Sequence, residues 1–264
     1  MTASRQRLDR TLVERGLAPS REKAQALVMA GDVRVDGLPA AKPGMAIARE
    51  AAIMVRPQPQ HVGRGALKLA GALDALGLDP ALRVAIDVGA STGGFTQILL
   101  ERGAARVYAV DVGRAQLHER LRRDPRVIVK ERTNARRLSP DLIPEPCSLA
   151  VMDVSFISVL KILPALRDVL AKGAELVVLV KPQFEVGREH VSKGGLVKDP
   201  ALQSRALARV ALSSLELGYA VRGACASAVA GAMGNREFFL HMRESGAGLG
   251  PDEIEAMAKR VVGA

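Results

Sequence analysis

Ala85-Ile86-Asp87-Val88-Gly89-Ala90-Ser91-Thr92-Gly93-Gly94-Phe95 reads as a buried strand closed by a carboxylate, then a glycine-rich turn, then the first turn of a helix. Val107-Tyr108-Ala109-Val110-Asp111 repeats the logic, an apolar run ending in an acid. The two acids are 24 residues apart, close to the roughly 20 at which a second-strand carboxylate meets a pair of ribose hydroxyls. Glycine in such a turn lets the backbone approach a ligand that a Cβ would block. Tight strand–helix packing uses glycine too, so it is Asp111 that tips the turn towards ligand binding. Apolar runs near 84–88, 107–111, 127–130, 149–153 and 175–180 alternate with helical stretches, the pattern of a doubly wound α/β sheet.

What the turn lacks narrows the ligand. A dinucleotide site wants G-x-G-x-x-G, and a P-loop wants Lys-Ser or Lys-Thr after its glycines. Here a carboxylate precedes the glycines and no lysine follows within them, which suits a cationic ligand carrying an adenosine. The segment resembles the first motif of the S-adenosylmethionine (SAM) dependent methyltransferases, a Rossmann-like sheet. That resemblance implies SAM as cofactor, with Asp87, Gly89, Ala90, Ser91, Gly93, Gly94 and Phe95 under the methionine moiety and Asp111 on the ribose.

The 264 residues suffice for one ordinary domain and a small one. With 48% hydrophobic residues, 3% aromatics and no Trp, the core must be built from Ala, Val and Leu. The net charge of +10 favours an acidic partner, most simply nucleic acid, with an anionic membrane surface as the rival. No run approaches the roughly 20 apolar residues of a spanning helix, and the N-terminus lacks an apolar signal core. Cys147 and Cys225 are too few for a disulfide framework or a zinc site. The expectation is a cytoplasmic protein without stable membrane insertion and without a metal.

Two domains are expected, residues 1–55 and 64–264, joined by a linker over 56–63. Residues 5–17 and 20–30 read as short helices, the first turning Leu8, Leu12 and Val13 inward and the second capped by Ser20 with Ala24, Leu27 and Val28 at helical spacing. Gly31 stops the second helix, Val33-Arg34-Val35 is a strand, and Asp36-Gly37 is a hairpin signal. Arg56-Pro57-Gln58-Pro59-Gln60 is an extended connection, because alternating prolines disfavour helix. The N-terminal unit resembles the S-four RNA-binding domain, through Arg7-Leu8-Asp9, Ser20-Arg21-Glu22-Lys23-Ala24 and Gly31-Asp32-Val33-Arg34-Val35-Asp36-Gly37. The resemblance implies that Arg7, Arg21, Lys23 and Arg34 face an RNA backbone. Residues 1–60 carry ten basic and six acidic side chains, so charge alone would not single this unit out.

In an open parallel sheet, ligands bind beyond the carboxyl ends of the strands. Val151-Met152-Asp153-Val154-Ser155-Phe156 and Leu179-Val180-Lys181-Pro182-Gln183-Phe184 therefore bring Asp153 and Lys181 to the methyl-donor edge. If residues 221–229 form a parallel strand, the run after Gly234-Asn235-Arg236-Glu237 returns antiparallel and sets Glu237 at the same edge. Lys68, on the helix before the first strand, can reach it as well. A lone buried Lys or Asp is usually an ion-paired structural group; four ionisable groups in one cleft are more often functional.

Nearly all of residues 5–243 resembles the TlyA family, known both as haemolysins and as ribosomal RNA 2′-O-methyltransferases, with a catalytic domain related to FtsJ. The resemblance is carried by Arg64-Gly65-Ala66-Leu67-Lys68-Leu69, residues 87–95, Asp153-Val154-Ser155-Phe156-Ile157-Ser158 and Val180-Lys181-Pro182-Gln183-Phe184-Glu185. It implies a catalytic tetrad of Lys68, Asp153, Lys181 and Glu237, with Asn134 and Asp153 beside the cofactor. The target it implies is a cytidine ribose in ribosomal RNA, of one or both subunits. Gly63 stands where the family has Ser, and His61 where an aromatic residue often precedes Val62, departures confined to the linker.

The tetrad suits ribose methylation. The sulfonium methyl is already activated, so in-line placement of the attacking oxygen supplies much of the acceleration. The 2′-hydroxyl must lose its proton, and Lys181 is the candidate base. Two neighbouring carboxylates favour its charged form, whereas Lys68 and the sulfonium favour the neutral one. Base or charged positioning group both stay open, the base being preferred. Among rivals, exocyclic-amine methylation wants an Asn/Asp-Pro-Pro-aromatic run where this chain has Asp153-Val154-Ser155-Phe156. A cytosine C5 enzyme wants a thiolate, but Cys147 precedes the fourth strand, six residues and about 20 Å from the active edge. A membrane-active haemolysin lacks an amphipathic or spanning segment, and a non-catalytic RNA binder would not need an intact tetrad. Low aromatic content argues against recognition by base stacking, and eight basic side chains in residues 120–137 form a second RNA footprint.

Overall fold

The computed structural model describes residues 5–56 and 61–264, which divide into two compact units, Met1–Gln60 and His61–Ala264. Pro57, Gln58, Pro59 and Gln60 of the expected linker lie outside the described residues.

In the first unit β1 (Arg5–Arg7) leads into α1 (Leu8–Glu14), then α2 (Arg21–Met29), β2 (Val33–Val35), β3 (Leu38–Pro39), β4 (Ala46–Ala48) and β5 (Ile53–Val55). Ser20 caps α2 by accepting the Lys23 N–H at 3.2 Å, one of the four orphan donors of a helix start. Asp36 and Gly37 both take left-handed φ, +47° and +82°, as a two-residue hairpin demands, and β2 pairs antiparallel with β3 and β5. Leu8, Leu12, Ala24, Leu27, Val28, Val33 and Ile47 close the core. The first helix is shorter than expected: residues 5–7 are a strand paired with β4. That partner is some forty residues away, out of reach of a local periodicity argument.

The second unit runs α3 (Gly65–Leu76), β6 (Val84–Val88), α4 (Gly94–Glu101), β7 (Arg106–Val110), α5 (Glu119–Arg122), β8 (Val127–Lys130), β9 (Cys147–Met152), α6 (Leu163–Arg167), β10 (Leu170–Val180), α7 (Pro182–Glu185), α8 (Pro200–Glu216), β11 (Ala220–Ala226), β12 (Phe238–Arg243) and α9 (Pro251–Val262). Among the described residues the strands form one sheet in the order β11-β12-β10-β9-β6-β7-β8, with β12 antiparallel to both neighbours. Both faces are covered, so the strands read as continuous apolar runs. Ile86, Val88, Met152, Val178 and Phe238 belong to one core layer, and Ala85, Val151, Val177 and Phe239 to the other. Consecutive Phe238 and Phe239 thus serve opposite faces, the period of two that a strand imposes.

Strand order reverses at β6, which pairs with β7 on one side and β9 on the other. That reversal opens a crevice at the carboxyl ends, where the Asp153 N–H reaches the Val88 carbonyl at 2.9 Å.

Candidate active site

The glycine-rich turn is built by packing as much as by ligand demands. Asp87 is fully buried and accepts from the Thr96 N–H at 2.8 Å and the Thr96 hydroxyl at 2.6 Å. It thereby holds the start of α4 to the end of β6, and its Oδ1 is buried without a hydrogen-bond partner among the described residues. Gly89 has φ +85°, and a Cβ there would lie 2.3 Å from the Asp153 carbonyl oxygen. A Cβ on Gly94 would meet the Ala66 nitrogen of α3 at 2.8 Å, and one on Gly93 (φ +97°) would meet Leu121. Phe95 is a core residue whose ring packs against Phe239 with centroids 6.0 Å apart. Of the expected cofactor residues in this stretch, Gly89 lines a cavity. Asp87, Gly93, Gly94 and Phe95 shape the turn from behind, Ala90 is buried beside them, and exposed Ser91 donates its N–H to Asp111 at 2.8 Å.

Burial of Asp87, the leading cause, pushes its carboxyl up to about 7. An unfolded Asp titrates near 3.9, so between the two values the folded chain holds a proton the unfolded chain has released. Stability from this group is therefore complete at low pH and is lost as pH rises from about 4 to about 7. Asp87→Asn keeps an acceptor for Thr96 without the charge. Its melting temperature, relative to the unsubstituted chain, should rise between pH 5 and pH 8; a parallel pH dependence of the two proteins would contradict the shift.

Two cavities open at the carboxyl ends of the strands. The first, about 260 Å³, is lined by Gly89, Asp111, Thr133, Asn134, Val154 and Ser155 among others. Asp111 accepts from Gly113 N–H at 2.6 Å as well as from Ser91, and Asn134 caps a short 3-10 turn through Arg136 N–H at 3.1 Å. The second, about 410 Å³, is lined by Lys68, Ser155, Phe156, Lys181, Asn235 and Glu237 with neighbours. Ser155 lies in both walls.

The four ionisable residues expected at this edge form two ion pairs. Lys68 of α3 meets Glu237, just before β12, at 2.5 Å with both side chains buried. Lys181, at the end of β10, meets Asp153, at the end of β9, at 2.6 Å and donates to Ser155 Oγ at 2.9 Å. A larger groove of about 570 Å³ runs between α8 and α9, but it holds neither pair; side-chain chemistry, not size, singles out the pair of cavities.

Ser155, Asn235 and Phe156 at the second cavity were not among the expected site residues. Phe156 is 91% exposed, has φ +66° and stands 5.3 Å from the Phe184 ring. A low overall aromatic content says nothing about one ring held over a site, and the only local signal was its place in the motif after β9. Cys147, by contrast, is fully buried at the first residue of β9, and burial pushes its thiol up to about 12. A thiol so buried and so hard to ionise is poorly suited to nucleophilic attack. Among the described residues no group of His, Cys, Asp and Glu could hold a metal ion, and no helix is long and apolar enough to cross a membrane.

In the first unit Arg7 and Arg21 converge on Asp9, which is fully buried and pairs with them at 3.0 and 2.9 Å. The hydrogen bonds from Arg7 above all hold its carboxyl far below the usual range. Both guanidiniums stay about half exposed, 46% and 50%. Lys23 is exposed, and Arg34 braces the hairpin by donating to the Gly37 carbonyl at 3.0 Å. Of the basic run 120–137, Arg122 and Arg126 pair with Glu131 and Asp124, and Arg123 pairs with Glu119. Arg120, Arg132, Arg136 and Arg137 are exposed.

The sheet order, with its antiparallel last strand and a cavity beyond the ends of β6 and β7, is that of the SAM-dependent methyltransferase fold. Residues 61–244 match the FtsJ-like methyltransferase family and residues 6–53 the S4 domain. The chain is 51% identical, over 91% of each chain, to the 16S/23S rRNA (cytidine-2′-O)-methyltransferase TlyA of Mycobacterium tuberculosis. It is 45% identical, over 99% of its own length and 94% of the other, to YqxC of Bacillus subtilis, which is named as an rRNA methyltransferase. A solved structure from Streptococcus thermophilus that carries the hemolysin name superposes with a TM-score of 0.72 at 38% identity, covering 98% of this chain and 96% of that one. The chain belongs to the TlyA family, an S4 domain joined to an FtsJ-like methyltransferase domain.

Proposed function

We propose that this chain transfers the methyl group of SAM to the 2′-oxygen of a cytidine ribose in ribosomal RNA, in free RNA or in a subunit. The observation that carries the proposal is the shared wall at Ser155. On one side lies a cavity lined by Asp111 and Asn134; on the other, a cavity lined by Lys68, Lys181 and Glu237, with Asp153 paired to Lys181 at its margin and no thiol among its lining residues. The names of the relatives in Mycobacterium tuberculosis and Bacillus subtilis support the RNA substrate, and that of the former supports the cytidine 2′-oxygen.

The residues suit the cofactor. Asp111 offers a carboxylate to ribose hydroxyls, Asn134 an amide to the adenine, and Gly89 a stretch of backbone in the cavity wall. When bound, SAM supplies an already activated methyl group. Lys181 orients the attacking hydroxyl and, with its amine in the neutral form, takes the hydroxyl proton; Asp153 and Ser155 fix the amine, and the Lys68–Glu237 pair lines the same cavity. Phe156 presents a ring on which the target base can stack. Residues 1–55 dock RNA, 56–63 connect, and 64–264 carry the chemistry, in the cytoplasm. Asp111→Ala should weaken SAM binding in calorimetry, by loss of a charge-assisted hydrogen bond, and leave RNA affinity unchanged. Equal SAM affinity would remove Asp111 from the cofactor site.

The RNA-docking surface has its own test. Replacing Arg7, Arg21 and Lys23 by Ala should weaken RNA binding and flatten its salt dependence, since each lost phosphate contact removes roughly 0.7–0.9 from the log–log slope. Because the two arginine changes also unpair buried Asp9, Lys23→Ala alone is the control that leaves the fold untouched. An unaltered slope in the triple variant would take the RNA contact away from this unit.

A further inference from the structure

Two chain segments meet twice beside the acceptor cavity. One, residues 153–159, leaves the end of β9; the other, residues 181–185, leaves the end of β10 and forms α7. Their first meeting is Lys181 with Asp153 and Ser155. The second is made by Glu185, which no catalytic or binding role described above includes. Its Oε2 accepts from the Ser158 hydroxyl at 2.7 Å and its Oε1 from the Val159 N–H at 2.9 Å. Arg209 of α8 pairs with the same carboxylate at 3.1 Å and also donates to the Glu185 carbonyl.

The Glu185 side chain is 1% exposed, and burial, ahead of its hydrogen bonds, pushes its carboxyl above the usual range. A charge in such a place is expensive to desolvate, and an apolar group of similar size often packs as well or better. What the carboxylate adds is geometry. Residues 154–157 form an arch between the two meetings, with Phe156 at its top in left-handed backbone conformation. A bulky L residue adopts that conformation only when its surroundings over-determine it. Here one foot of the arch is held by Lys181 and the other by Glu185.

We propose that Glu185 is a positioning residue: it pins the far foot of the arch, holding Phe156 over the acceptor cavity and Ser155 against Lys181. The proposal rests on the methyl-transfer function above, which gives the arch its purpose. It sets Glu185 apart from an ordinary core ion pair, because its loss should be felt in the transfer step and in the order of the arch rather than in cofactor affinity.

The chain has no tryptophan, so Phe156→Trp installs a single indole at the top of the arch. In that background Glu185→Gln should lower the indole's steady-state anisotropy while SAM affinity stays within about twofold. Without the reporter, Glu185→Gln should slow single-turnover transfer to ribosomal RNA by roughly 10–100-fold, the scale of a misplaced reacting group. In a Phe156→Ala background the same change should cost no more than about threefold further, since the two residues act through one arch. Ser158→Ala removes one of the pins without touching the charge, should move anisotropy and rate in the same direction, and carries the test if the Glu185 variant does not fold. Unchanged anisotropy in both variants, or rate losses that simply add to that of Phe156→Ala, would overturn the assignment. Anisotropy needs no turnover, so a chain that proved inactive on every RNA would refute the methyl-transfer function while leaving the pin to stand or fall by itself.

Discussion

Lys181→Ala lowers single-turnover methyl transfer by a factor of order 10²–10⁴, the scale of a lost general base, with SAM and RNA binding nearly intact. The Lys181 amine touches both the Asp153 carboxylate and Ser155, the residue shared by the two cavity walls. Removing it leaves Asp153 unpaired, but that side chain is 22% exposed, so water can solvate it and the fold should survive. Lys181→Arg separates the two roles of the amine. Guanidinium keeps the positive charge and cannot be deprotonated. If the amine takes the hydroxyl proton, the Arg variant stays as slow as the Ala variant; if it only supplies charge, much of the rate returns. A Lys181→Ala protein with an unchanged single-turnover rate would sink the assignment.

Lys68→Ala should instead be felt first in the fold. Glu237 is 2% exposed and Lys68 only 10%, so losing the lysine strands a carboxylate in the interior. Breaking such a pair from one side costs about 3–5 kcal/mol, which for a unit of this size lowers the melting temperature by on the order of 10 °C. The double change Lys68→Met with Glu237→Leu removes both charges and should recover most of that stability without recovering methyl transfer. Glu237→Gln keeps an acceptor for Lys68 and should slow transfer less than Lys181→Ala does. A double variant that regained activity along with its melting temperature would reduce this pair to a structural prop.

Much of the candidate site was legible because parallel strands buried on both faces appear as unbroken apolar runs, and the residues that end them stand at the sheet edge where ligands bind in such folds. Asp111, Asp153 and Lys181 were found that way, and the hairpin return correctly carried Glu237 to the same edge. The pairing within the tetrad was not legible. Lys68 and Glu237 are 169 residues apart, and no spacing rule says that Lys68 takes Glu237 while Lys181 takes Asp153.

The turn after β6 carries two physical signals that a sequence does not separate. A glycine that admits a ligand and a glycine that admits a neighbouring helix look alike in a sequence, and Gly94 is the second kind, facing the backbone of α3. Asp87 reads as a ligand acid because it ends a strand, yet its hydrogen bonds go to Thr96. Asp9 escaped notice for the opposite reason. Its partners Arg7 and Arg21 come from different elements, so what looked like free cations on a helix pair are cations held around one buried acid. Glu185 was visible as part of a motif, but its role depends on Ser158 and Arg209, which only the packed fold brings to it.

Mass-spectrometric mapping of ribosomal RNA, as free RNA and as assembled subunits, after incubation with this protein and SAM tests the central claim most directly. The account predicts a methyl group on the ribose 2′-oxygen of a defined cytidine, resistant to alkaline cleavage at that position and absent when the Lys181→Ala protein is used. A methyl group found on a base, or no RNA methylation by a protein that binds SAM, would contradict it.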